Sequence, residues 1–158
     1  FGRATEELDA AKVYDIPVEI VPGVTAASAA AATMGVALTE RGVTDTLVIA
    51  TGMARDGDTL PDWSQHVVAG TRLVFYMAVG TAAKLARNLA ERGLSPSLKV
   101  QVAAEVSTPR QKIFETELGS LSDSLEAEKV SGCALIMVTV PKGLNLGQEL
   151  PSRIVSTH

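Results

Sequence analysis

The residues most able to do chemistry in this sequence are a hydroxyl in front of a helix and a few arginines. Thr25 follows the turn at Pro22-Gly23 and stands where an N-cap would be, ahead of Ala26 to Ala32, where six of seven residues are alanine. The free N–H groups of a first helical turn attract a carboxylate or phosphate, and alanine leaves room for a ligand to approach. The same composition suits a connector packed tightly against a neighbouring backbone, because alanine combines high helix propensity with little bulk. On this stretch alone both readings stand.

The other reactive side chains are sparse. His66 and His158 are far apart and Cys133 is the single cysteine, so no spacing suggests zinc or another transition metal, and no metal is expected. One cysteine also excludes a disulfide within the chain. Its place in the apolar run "CALIMVTV" points to a buried small residue. Glu7, Glu40 and Glu105 read as solvated acids rather than tuned bases. Arg3, Arg41 and Arg110 are fixed cations. The net charge of -4 leaves no general basic surface for nucleic acid or an anionic membrane, so any anionic ligand needs a local basic pocket. No run approaches the roughly 18 apolar residues that span a bilayer, and a cytoplasmic protein is expected.

The elements that must position these residues alternate. With 158 residues, 46% of them hydrophobic, the chain can bury a real core. "ATEELDAAKVYDIP" predicts a first helix with Thr5 as a possible cap, and "VEIV" predicts a strand before the Pro-Gly turn. The Ala-rich helix runs to about Gly35. "TLVIATG" and "RLVFYM" read as strands, with a short helix around "DWSQHVVAG" between them. "TAAKLARNLAERG" is a helix with a glycine stop, and "KVQVAAEV" and "KIFETEL" are strands that can pair across "STPRQ". "SLSDSLEAEKVSG" is a last helix, capped by Ser120 or Ser122, before the strand "CALIMVTV". Apolar strands alternating with helices predict an α/β fold, a mixed sheet with helices on both faces.

In this order the pieces resemble the tetrapyrrole methylase family, and within it the uroporphyrinogen-III C-methyltransferases. The carriers are "FGRATEEL", "VPGVTAASAAAA", "LTERG", "ATG", "VFYM", "STPRQ" and "ALIMV", spread from Phe1 to about Val140. The resemblance implies the second domain of a two-domain enzyme whose cleft encloses S-adenosylmethionine as methyl donor. By that resemblance Thr25, Ala26, Met77 and Val106 would bind the cofactor, with backbone contacts from the loop Glu105 to Ser107. Arg3, Arg41 and Arg110 would bind the carboxylates of the tetrapyrrole substrate, a task for which planar guanidinium forks are suited. The implied reaction is C-methylation of uroporphyrinogen III to precorrin-2 in sirohaem and cobalamin biosynthesis.

Several positions depart from the family pattern. "LTHR" reads here Leu38-Thr39-Glu40-Arg41, "TGH" reads Thr51-Gly52-Met53, and glycines of the pattern are replaced by Val106 and Thr139. The family's glycine-rich amino-terminal domain, with the groups assigned to proton transfer, would precede Phe1, so no catalytic residue is named within this chain. The expected division is 1–23 as remnant of that domain and linker, 24–143 as the carboxyl-terminal α/β domain and 144–158 as tail. The expected partners are the missing amino-terminal domain and a second copy in a homodimer, and the chain alone is expected to be inactive. Two other readings are a different precorrin methyltransferase and a noncatalytic ligand-binding or dimerisation module.

Overall fold

The structure, a computed structural model, describes residues 4–54, 57 and 59–146. The β-branched and apolar runs form β1 (Thr46–Thr51), β2 (Thr71–Tyr76), β3 (Lys99–Ala104), β4 (Lys112–Glu117) and β5 (Ala134–Val140). The helices are α1 (Ala4–Val13), α2 (Ala26–Met34), α3 (Ala82–Glu91) and α4 (Leu121–Ala127). The strands make one sheet in the order β1-β2-β5-β3-β4. β1 and β2 are parallel, β5 runs antiparallel to both β2 and β3, and β4 is antiparallel to β3. The mixed sheet and the pairing across "STPRQ" are as the sequence predicts. Last in sequence, β5 nonetheless lies in the centre of the sheet. Because β1, β2 and β3 point the same way, their carboxyl ends share one edge with the start of β5.

Strand side chains alternate between two faces. Leu73 and Phe75 of β2, Val102 of β3 and Ile136 of β5 pack with α3, α4 and Trp63 in the larger core cluster. Val74, Ala103, Leu135 and Met137 point the other way, under Ala27, Ala30 and Ala31 of α2. The face of α2 buried there is all alanine, and so small a side chain lets a helix pack closely on a sheet. Gly35 ends α2 at φ 68, a left-handed stop that costs glycine little.

The predicted strand at Val18–Val21 is not formed: these residues have no regular structure. A strand exists only where another strand supplies its hydrogen bonds, and none lies alongside. α1 begins at Ala4, so Thr5 lies inside the helix rather than capping it, and α1 buries no residue. Val13, Tyr14, Ile16, Val18, Ile20, Val21 and Val24 are each more than half exposed. Among the described residues no helix is long and apolar enough to cross a membrane.

Candidate functional site

The carboxyl ends of β2 and β3 and the segment entering β5 surround a cleft of about 730 Å³. Ala26 and Ala29 of α2 form one wall, Met77 and Val106 flank it, and Cys133 and Ala134 close the β5 side. Both strands leave the sheet through left-handed residues, Met77 at φ 54 and Glu105 at φ 50, with Ser107 following at φ 66. Such conformations cost a non-glycine residue on the order of 1–3 kcal/mol and persist where the surroundings impose them. The turn at Glu105 also stops β3 at Ala104, two residues short of the end of the predicted strand "KVQVAAEV". The cleft is where open α/β sheets bind ligands, at the carboxyl ends of adjacent strands.

Thr25 occupies the N-cap position at φ -76 and ψ 152, but its side chain makes no capping hydrogen bond. The Tyr76 hydroxyl does that work from the end of β2. It hydrogen-bonds Thr25 Oγ1 and accepts from the N–H of Ala27 at 2.8 Å. One phenol therefore ties the first turn of α2 to the sheet at the cleft. The sequence shows Tyr76 inside "VFYM", yet nothing in that spacing signals a cross-element cap. Its signal is an aromatic with a polar tip at a strand end, a type that seeks a hydrogen-bond partner when partly buried.

A second clamp holds the loop after β2. The Gly52 N–H donates to the Tyr76 carbonyl at 2.6 Å, and Thr81 Oγ1 donates to the Gly52 carbonyl at 2.8 Å. Trp63 Nε1 donates to the Thr51 carbonyl at 2.9 Å. A Cβ on Gly52 would lie 2.4 Å from Ala78 Cα, so only glycine permits this approach. The "ATG" motif thereby fixes the loop that carries Met77.

Cys133 is exposed and lines the cleft, contrary to the buried position expected from its apolar run. β5 begins one residue later, and the Cys133 carbonyl accepts from the Glu105 N–H at 2.8 Å, which leaves the thiol at the mouth of the sheet rather than in it. Ala26, Met77 and Val106 meet at the cleft, and Thr25 stands behind the wall with its hydroxyl held by Tyr76. Arg110 is largely exposed beside the cleft, its guanidinium 3.3 Å from Glu105. Arg41 lies in the turn between Glu40 and Thr44, which joins the opposite end of the sheet through Val43 and Lys142. A six-residue β2 puts Arg41 about 20 Å from the cleft edge. Arg3 lies outside the described residues. Among the described residues no group of three His, Cys, Asp or Glu could hold a metal ion.

The chain is 39% identical over 145 residues to the sirohaem synthase of Zymomonas mobilis, covering 91% of this chain and 30% of that protein. It is 33% identical over 138 residues to the sirohaem synthase of Ruthia magnifica, covering 87% of this chain and 29% of that one. The chain thus spans about three-tenths of the length of these curated relatives. Among solved structures it is similar to the uroporphyrin-III C-methyl transferase of Thermus thermophilus complexed with S-adenyl homocysteine, at 29% identity and a TM-score of 0.70, over 87% of this chain and 57% of that one. The family model of the tetrapyrrole (corrin/porphyrin) methylases matches residues 1–122, more than three-quarters of the sequence, and the chain belongs to that family.

Proposed function

We propose that the chain supplies the carboxyl-terminal half, one wall of the cleft, of an S-adenosylmethionine-dependent C-methyltransferase that converts uroporphyrinogen III to precorrin-2. The observation that carries the reading is the cleft between Ala26, Met77 and Val106 at the ends of β2 and β3. Its small and apolar lining suits the adenosine of the donor and the carbons around its sulfonium, and the Thermus relative's complex with S-adenyl homocysteine supports that ligand. The donor supplies a methyl group on a sulfonium, and displacement of it by a nucleophilic carbon needs alignment and exclusion of water more than a nucleophilic side chain.

In this reading Ala26 and Ala29 leave room for the donor, and Met77 and Val106 hold its flanks. Thr25 and Tyr76 set the position of the α2 wall. Arg110, whose exposed pair with Glu105 is weak enough to exchange, meets a substrate carboxylate at the rim. Arg41, at the far end of the sheet, does not support a contact with this cleft. The exposed apolar stretch from Val13 to Val24 is read as the place where the amino-terminal domain packs, and Val18–Val21 as a strand that its sheet completes. The groups that move protons are assigned to that domain, so the 158-residue chain alone is inactive.

The test is incubation of the full-length protein with S-adenosylmethionine and uroporphyrinogen III, followed by mass and positional analysis of the product. Two added methyl groups at the precorrin-2 positions support the reading. Methylation of a later precorrin only would replace it with another member of the same family.

A further inference from the structure

A second concavity lies on the α2 side of the sheet at the end opposite the cleft, and it is built around a charge. Arg72 of β2 is 5% exposed and is the only charged side chain buried among the described residues. Its Nη1 donates to the carbonyl of Ala37, just beyond α2. Its Nε is shut away from solvent with no hydrogen-bond partner. The ion pairs among the described residues engage Lys12, Lys99, Arg110, Lys112 and Lys142, and none engages Arg72. Buried and in no ion pair with a described carboxylate, this guanidinium lacks a counter-charge. The nearby carboxyl end of α2 and the Ala37 carbonyl offer only partial negative charge.

The surroundings supply a place for that counter-charge. Arg72 opens into a space of about 880 Å³ lined also by Glu40, Lys99, Gln101, Glu115 and Thr139. Arg72 stands opposite Thr139 on β5, and Val138 stands opposite Val100 on β3, which brings Lys99 alongside Thr139 on the other flank. A cation, a hydroxyl and a second cation thus form a row across β2, β5 and β3. Two strand spacings separate the outer members by about 10 Å, so a group above Thr139 is within reach of both long side chains. The existing partner of Lys99 is the exposed Glu117 at 3.5 Å, a weak pair that an incoming anion can displace.

We propose that Arg72, Thr139 and Lys99 form a binding site for a compact oxyanion, the phosphate or carboxylate group of a small ligand, separate from the methyl-transfer cleft. The guanidinium of Arg72 supplies a fixed charge at the floor of this space, and Thr139 and Lys99 offer a hydroxyl and a second cation to the group above it. Glu40 and Glu115 at the rim repel extended polyanions and restrict the site to a small group.

The probes are inorganic phosphate and acetate, each titrated into the full chain against chloride at matched ionic strength. The readouts are the unfolding temperature and the ¹⁵N signal of the Arg72 Nε–H. The expected result is a saturable rise in unfolding temperature with a matching shift of that signal, for phosphate, acetate or both. Binding of one alone identifies the group. Thr139→Val and Lys99→Gln should each weaken the apparent affinity about fivefold or more, and Glu40→Gln should tighten it. Arg72→Met should abolish it; if that variant does not fold, the Thr139 and Lys99 variants decide. A rise that never saturates and is equal in all variants means a general salt effect and overturns the site. So does displacement of the Nε–H signal by Glu40→Gln without any anion, since Glu40 would then be the counter-ion of Arg72 in solution.

Discussion

At the scale of single residues, the Thr25–Tyr76 pair separates a ligand contact from a structural one. Thr25→Val removes a hydroxyl that Tyr76 already engages, and Tyr76→Phe removes both that bond and the acceptor for Ala27. Each substitution should weaken S-adenosylhomocysteine binding to the full-length protein by about 1 kcal/mol or more. Because the two share a bond, the double variant should lose less than the sum, by about 0.5 kcal/mol or more. Calorimetric titration alongside denaturant unfolding checks both; strict additivity in binding would mean that the hydroxyls act on the ligand separately. Arg110→Ala should raise the Michaelis constant for the tetrapyrrole much more than that for the methyl donor, with Arg110→Lys restoring only part. Steady-state kinetics varying each substrate measures this, and equal changes in the two constants would assign Arg110 to structure.

At the scale of elements, the loop after β2 depends on one absent side chain. Gly52→Ala forces a methyl against Ala78, where its Cβ would sit 2.4 Å from both Cα and Cβ. The conflict is with backbone rather than a flexible tip, so β1 and the 77–81 loop must part. Destabilisation of about 1–3 kcal/mol or more is expected, together with weaker donor binding as Met77 shifts. Chemical denaturation and calorimetry on the same variant show whether the two losses accompany each other. A Gly52→Ala protein with unchanged midpoint would mean that the approach of these strands is loose.

For the whole molecule, the proposed function calls for a second domain over the cleft, and the exposed apolar stretch from Val13 to Val24 offers it a surface. A ligand pocket normally encloses most of its ligand, so the 158-residue chain should bind S-adenosylhomocysteine weakly. Ligand at 100 times its dissociation constant would stabilise the fold by about 2.7 kcal/mol, and no stabilisation of that size is expected at micromolar concentrations. The full-length protein should show it. An unfolding scan of both, with and without ligand, makes the comparison; an equal shift in the isolated chain would show that this half holds the whole donor site.

The local elements are legible in the sequence, because the signals for them are local. β-Branched and apolar runs bounded by turns marked the five strands β1 to β5, the glycine stops marked the ends of α2 and α3, and the "STPRQ" connector marked an adjacent pair. The sequence also carried the family, through short motifs in a set order along the chain. That β5 enters the middle of the sheet emerges only in the fold, since strand order depends on contacts between residues far apart in sequence. The same cause separates the site residues. Ala26, Met77 and Val106 converge because parallel strands end on one edge, while Arg41 is carried by its turn to the other. Cys133 looked buried because its neighbours are, yet one step before the strand it faces open space. The tie from Tyr76 to Thr25 crosses 51 positions, and no local pattern encodes such a bond. Val18–Val21 shows the converse: strand propensity is written in the chain, but a strand forms only against a neighbour, and none of the described strands supplies one.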